Sequence, residues 1–227
     1  WSVYNYLFKY SAISRDPVAY WKFDEISVTT ASDSSGNGNN GTLVNGPVWT
    51  TGHINNALNF DGVNDKIQVT TSGGVNGMSN FTISAWIYPR SGGGGTYGRI
   101  IEKGSVTNRR FDFHMSSNGV LTLRVPYTSQ WGVWRTPLGS IKFNQWQHVA
   151  VTYSFGLAQK PTFYIDGVTQ SLHPLFTNPI GSPLLDNNSL VIGDLGDGSR
   201  VFDGIIDDVR IYKGILSPTD IATLFSQ

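Results

Sequence analysis

Carboxylates and aromatic rings, rather than thiols or paired histidines, are the groups in this chain whose spacing suggests chemistry. Between Ile205 and Tyr212 it reads IIDDVRIY. Strand alternation would set Ile205, Asp207, Val209 and Ile211 on one side and Ile206, Asp208, Arg210 and Tyr212 on the other. Asp207 then lies in line with the apolar row, where an ionised carboxylate needs compensation from a cation, backbone N–H donors or water at the core edge. A second carboxylate, Asp33, opens the segment DSSGNGNNG over 33–41, which is dense in oxygen ligands and bending glycines. Ca²⁺ asks for oxygens in a flexible geometry, and no Glu follows to make this an EF-hand. Two readings fit: an ion loop, or a turn in which Asp33 caps backbone N–H groups.

A different chemistry is written in the middle of the chain. Strands predicted over 110–115 and 120–125 place Phe111, Phe113, Met115, Leu121, Leu123 and Val125 on a core face. Arg110, Asp112, His114, Thr122 and Arg124 then share the opposite face, which leads to a loop carrying Tyr127, Trp131, Trp134 and Arg135, with Tyr97 and Arg99 on a nearby turn. Aromatic planes pack against the C–H faces of sugars while Arg, Asp and His bracket hydroxyl pairs, so this set reads as a glycan platform. The plainer alternative is that both tryptophans tuck under their own loop and the polar residues only wet the sheet. Trp21 and Trp86 follow the alternation into the core, and Trp146 stands where a strand begins.

Several function classes are disfavoured. The chain has only two glutamates, Glu25 and Glu102, on separate predicted strands, so the closely spaced acid pair of a glycoside hydrolase strand cannot be written, although aspartates could still pair in space. His53, His148 and His173 have no zinc-like spacing, and there is no P-loop, Rossmann fingerprint or nucleophile elbow. Sixteen Lys and Arg balance sixteen Asp and Glu, which leaves no summed field to gather nucleic acid. No apolar run is long enough to span a bilayer, and the absence of cysteine leaves the redox compartment open. Asn40, Asn80 and Asn187 match a glycosylation pattern that Asn-rich chains produce by chance.

The elements that must position these groups are short. Apolar runs at 18–23, 57–60, 66–69, 81–88, 99–103, 110–115, 120–125, 147–153, 162–165, 189–193 and 205–212 alternate with turn residues, the spacing of an antiparallel β-sandwich. Asp61-Gly62, Asn118-Gly119 and Asp166-Gly167 suit tight hairpins because these residues tolerate positive φ. One helix is expected, at the tail, with Ser217 as cap, Pro218 in the first turn and Asp220 near the positive dipole end; it should fold across the end of a sheet. With no linker of Pro/Ser-rich or charged composition, we read one domain over 17–227 after an aromatic lead segment, 1–16.

Taken in order, PVAYWKFDE (17–25), DSSGNGNNGTL (33–43), ALNFDGVNDKIQV (57–69), FTISAWIYP (81–89), WQHVAVTY (146–153), FYIDG (163–167) and FDGIIDDVRIYKGILSPTDI (202–221) resemble the laminin-G-like, concanavalin A-like jelly-roll superfamily, of the bacterial or phage LamG type. The resemblance implies an all-β jelly roll of two antiparallel sheets, often one structural calcium ion at a rim, and carbohydrate or protein binding on a concave face or edge loops. In relatives the 33–41 loop can approach the last strand, so Asp33, Asn39 and Asp207 are the implied ligands of that ion. The function expected is a non-catalytic glycan-binding or adhesion module of a bacterial or phage surface protein, extracellular or on a cell surface or virion. The alternative is a structural domain decorating a capsid, tail, pilus or filament through contacts with neighbouring subunits, because the fold does not fix the function.

Overall fold

The computed structural model describes residues 16–69, 74–104, 109–155, 159–184 and 189–227, and at Arg109 and Arg110 the backbone alone. The expected lead segment, apart from Asp16, lies outside the described residues. Among those described, the chain forms β1 (Ala19–Trp21), β2 (Thr30–Ala31), β3 (Gly41–Val44), β4 (Val48–Thr51), β5 (Asn56–Asp61), β6 (Lys66–Val69), β7 (Asn80–Pro89), β8 (Arg99–Gly104), β9 (Arg109–Met115), β10 (Leu121–Val125), β11 (Gly132–Arg135), β12 (Gln147–Ser154), β13 (Thr162–Ile165), β14 (Val168–Gln170), β15 (Leu190–Ile192), β16 (Asp203–Tyr212) and the helix α1 (Pro218–Phe225).

All paired strands are antiparallel, in two eight-stranded sheets. One runs β14-β13-β12-β7-β16-β5-β4, with β1 also pairing β16; the other runs β11-β10-β9-β8-β15-β6-β3-β2. The chain is therefore a β-sandwich, and its core is built from the inner row of each strand. Phe81, Ile83, Ala85 and Ile87 of β7 meet Phe111, Phe113 and Met115 of β9 and Leu121, Leu123 and Val125 of β10 in one apolar cluster. Trp21, Phe60 and Phe163 fill the same layer, each worth about 1.5–3 kcal/mol of transfer free energy on burial.

The capped helix forms as its sequence requires. Ser217 Oγ accepts the Asp220 N–H while the Asp220 carboxylate accepts the Ser217 N–H, a reciprocal capping box. Rather than crossing the end of a sheet, α1 lies on an outer face, packing Ile221 and Leu224 against Ala150, Tyr164 and Tyr212. Thr82 Oγ1 fixes its approach by donating to the Gly214 carbonyl and accepting from Leu216 N–H.

Five strands lie outside the apolar runs: β2, β3, β4, β11 and β14. Most are short, and β2, β4, β11 and β14 stand at sheet edges, where few side chains need be apolar and the alternation is weak. Gly41 in β3 has a packing reason, since a Cβ there would meet Ile67 Cγ2 at 2.3 Å.

The alternation expected through the last strand is broken. Asp207 pairs with Trp86, yet it is Arg210 that pairs with Ser84, so one residue is extra. Asp208 takes it up with φ 53°, a β-bulge that reverses the facing of everything after it. Ile206, Val209 and Ile211 are all core residues. Asp207 consequently lies on the outer face, not in the apolar row. Trp86, its cross-strand neighbour, is likewise outside the core; it is buried against His53, His148 and Phe225 on the outer surface of that sheet.

Candidate functional site

Strand register across β8 to β11 assembles two polar rows on the outer face of the second sheet. Arg99 pairs with His114, His114 with Thr122, and Thr122 with Arg135; beside them, Glu102 pairs with Asp112, Asp112 with Arg124, and Arg124 with Val133. A shift in register after Arg99 lets residues three apart on β8 join one cluster. The inner residues of the same strands are apolar and locked in the core, which holds these side chains on a rigid floor.

Although outward-facing, much of this cluster is buried. Arg99 Nε donates to Glu102 Oε2 at 2.9 Å, and Asp112 Oδ2 lies 3.9 Å from Arg99 Nη2 and 3.7 Å from Arg124 Nε. Asp112 Oδ1 makes a short hydrogen bond with His114 Nδ1. Burial alone would raise the Asp112 carboxyl, but His114, Arg99 and Arg124 outweigh it and hold it down to about 2. Burial, reinforced by Arg99 and Arg124, brings His114 down to about 4 against the pull of Asp112. At neutral pH the pair is therefore a carboxylate accepting from a neutral imidazole, which leaves Nε2 of His114 as an acceptor.

Over this floor opens a cleft of about 380 Å³ lined by Tyr97, Arg99, His114, Thr122, Arg124, Val133, Arg135 and Arg200. A second, of about 310 Å³, adjoins it through the shared residues Tyr97, Thr122 and Arg135 and continues towards Ser117, Asn118 and His173. Tyr97 is 43% exposed, with its ring 4.7 Å from the Arg200 guanidinium and edge-on to His114. Half-buried Trp131 receives the Arg124 guanidinium 4.8 Å from its ring centroid.

The predicted platform is thus divided. Asp112, His114, Arg124 and Arg135 come together as expected, with Trp131 at their margin, whereas the Arg110 side chain lies outside the described residues. Trp134 and Tyr127 do not belong to the platform. Both are in the core, where Trp134 packs on Tyr153 and the Tyr127 hydroxyl meets that of Tyr153 at 2.9 Å. The reason is register: Trp134 pairs with Leu123, an inward residue, so it too faces inward. Tyr97, Arg99 and Arg200 supply what those two do not. Arg200 had no strand or motif to mark it; only the approach of the 193–202 segment to the Tyr97 turn brings it there.

Asp33, Asn39 and Asp207 do not fit a shared calcium ion. Asp33 Oδ1 accepts from Tyr20 N–H and Ser35 N–H, and Oδ2 from the backbone and side-chain N–H groups of Asn39. Burial would raise this carboxyl, yet the bonds from Ser35, Asn39 and Tyr20 hold it below its ordinary value. Asp207 instead turns to another loop, accepting His53 N–H and Ile54 N–H, both at 2.9 Å, on Oδ2. The Asp33 carboxylate and Oδ2 of Asp207 therefore face N–H donors, the wrong partners for a cation, and among the described residues no three His, Cys, Asp or Glu side chains gather into a metal-binding group.

Comparison with known proteins agrees with this architecture. A family model described as the concanavalin A-like lectin/glucanases superfamily matches residues 61–222. The chain belongs to that superfamily. The chain is also 26% identical over 158 residues to an adhesion G-protein coupled receptor V1 of Danio rerio, a match covering 66% of this chain and 2% of the receptor. Domain 4 of AbnA, a GH43 extracellular arabinanase from Geobacillus stearothermophilus solved in complex with arabinotriose, superposes with a TM-score of 0.62 at 21% identity, covering 93% of this chain and 98% of that one. The botulinum neurotoxin serotype D ligand-binding domain, solved in complex with N-acetylneuraminic acid, gives 0.67 at 16% identity over 96% of this chain and 52% of that chain. The chain thus spans a small fraction of the receptor and about half of the toxin domain; at these identities the structures speak to the fold.

For a concanavalin A-like domain the two glutamates are placed unlike a catalytic pair. Glu102 is buried as the partner of Arg99, while Glu25 lies past β1, where its Oε1 accepts Ser32 N–H. No helix among the described residues is long and apolar enough to cross a membrane.

Proposed function

We propose that this chain is a non-catalytic carbohydrate-binding module and that the sugar lies in the cleft over β8 to β11. The observation that carries the reading is the combination of a partly exposed aromatic ring, Tyr97, with guanidinium and imidazole groups fixed by strand register in one concave site. A pyranose or furanose ring presents an apolar C–H face and a rim of hydroxyls; Tyr97 suits the first, and His114, Thr122, Arg124 and Arg135 suit the second. The adjoining cleft extends the site towards Ser117, Asn118 and His173. The arabinotriose complex of the arabinanase domain and the N-acetylneuraminic acid complex of the toxin domain support a binding rather than hydrolytic role. We place the module outside the cell, on a cell surface or virion, as part of an adhesion or recognition protein.

A glycan array followed by calorimetry tests this. Binding should be weakened about tenfold or more by Tyr97→Ala, a loss of order 1.4 kcal/mol, with melting temperature unchanged. If no glycan binds the folded chain, the carbohydrate reading fails and a protein-contact role gains.

A further inference from the structure

The cleft carries a charge that a neutral sugar would not use. Arg99, Arg124, Arg135 and Arg200 line it, while the acidic groups of the cluster are Glu102 and Asp112; among the described residues four positive against two negative leaves an excess of two, with His114 neutral. The whole chain has a formal net charge of zero, so this local excess is not a by-product of basic composition. Arg200 donates to the Gly95 carbonyl at 2.9 Å, but the other three guanidinium groups are short of acceptors among the described residues. Arg99 is 2% exposed and bonds Glu102 through Nε, yet its Nη1 has no hydrogen-bond partner among the described residues, and Nη2 lies 3.9 Å from Asp112, beyond hydrogen-bond range. Buried donors of this kind are normally satisfied. Arg124 stands 3.7 Å from Asp112, and among the described residues Arg135 finds the Leu175 carbonyl at 3.5 Å.

Resting on the carbohydrate reading above, we propose that the cleft recognises an acidic sugar, whose carboxylate or sulfate accepts hydrogen bonds from Arg124 and Arg135 while Tyr97 packs against the ring. A planar guanidinium matches either anion with paired N–H donors, and charge-assisted bonds of this kind are stronger than those to a hydroxyl. Arg99 contributes as a fixed positive charge behind them. Asp112 is the positioning residue: it draws Arg99 and Arg124 towards one point and fixes the His114 tautomer. Trp131 holds the Arg124 guanidinium from the other side. A neutral analogue desolvates the same guanidinium groups without meeting their charge, which is how the cleft discriminates.

Titration calorimetry on the whole chain tests the proposal with three matched pairs: trigalacturonate against its methyl ester, sialyllactose against its methyl ester, and 6-sulfo-N-acetyllactosamine against N-acetyllactosamine. At least one charged member should bind about tenfold or more tighter than its neutral partner, and that preference should shrink as salt rises. The pair that responds identifies the anion as carboxylate or sulfate. Arg135→Gln, at an exposed position, should lose the preference while keeping the melting temperature. Equal binding of charged and neutral members, still abolished by Tyr97→Ala, overturns the acidic-sugar proposal and leaves the carbohydrate reading standing. Absence of binding by all six, together with a silent glycan array, removes both.

Discussion

The guanidinium carbon of Arg124 lies 4.8 Å from the ring centroid of Trp131, and three residues along the chain Trp134 is wholly buried on the other side of the same sheet. Two tryptophans that look equivalent in the sequence thus have unrelated work, and they should respond oppositely to truncation. Trp131→Ala removes a half-buried ring and one cation–π contact worth about 0.5–1 kcal/mol, so folding should change little while glycan affinity falls several-fold. Trp134→Ala opens a core cavity and should cost about 3–5 kcal/mol in denaturant unfolding, with affinity retained in whatever fraction stays folded.

The bulge on β16 is held by charge. Asp208, at φ 53°, accepts from the Tyr20 hydroxyl and pairs with Arg210 at 2.8 Å, and both charged residues are nearly covered. Asp208→Ala leaves the Arg210 guanidinium buried without its carboxylate, which should destabilise the domain by about 3–5 kcal/mol. Replacing Arg210 by Met together with Asp208→Ala should recover part of that loss, as read by chemical denaturation of the single and double variants.

Acid and base act in opposite senses on the outer face of the first sheet. Burial, with Arg210 and His53 adding to it, holds His148 down to about 3, and its Nδ1 has no hydrogen-bond partner among the described residues. The unfolded chain, with an ordinary histidine near 6.5, binds a proton first, so stability falls as pH drops below about 6.5 and goes on falling towards 3, at about 1.4 kcal/mol per pH unit while the difference is one full proton. Asp207 has the reverse sign. Burial, aided by Asp208, lifts it to about 7 despite the N–H groups of Ile54 and His53, so its contribution is present at low pH and lost as pH rises through 7. His148→Phe should flatten the acid limb between pH 6 and 4, and Asp207→Asn should stabilise the protein at pH 8 but not at pH 4. Unfolding free energies measured across that range check both.

The 33–41 loop should behave as a structural turn. Asp33→Ala strips the acceptor from Tyr20, Ser35 and Asn39 N–H groups and should cost about 1–3 kcal/mol, equally with calcium and with chelator. A melting temperature that rises with calcium in the parent chain, and not in the variant, would restore the ion.

How far the chain could be read before folding differs from residue to residue. The inward row of Phe111, Phe113, Leu121 and Leu123, the outward row of Asp112, His114, Thr122 and Arg124, and the box of Ser217 with Asp220 all follow from neighbours within a strand or one helical turn. Periodicity of two and capping chemistry are local, so composition and spacing suffice for them. For the same reason the two-sheet sandwich was legible from its recurring short runs and turn residues.

What needed the tertiary structure is whatever depends on a count or an approach between distant segments. One extra residue at Asp208 sends Asp207 to the outer face, and no alternation rule contains that insertion because the bulge exists only in the pairing of β16 with β7. The pairing of Trp134 with Leu123 decides that its indole is core, and the packing of the 193–202 segment on the Tyr97 turn decides that Arg200 joins Arg99, Arg124 and Arg135. Sequence set which side chains each strand carries; long-range pairing set which of them share a site, because register across hydrogen-bonded strands is fixed by partners far away in the chain.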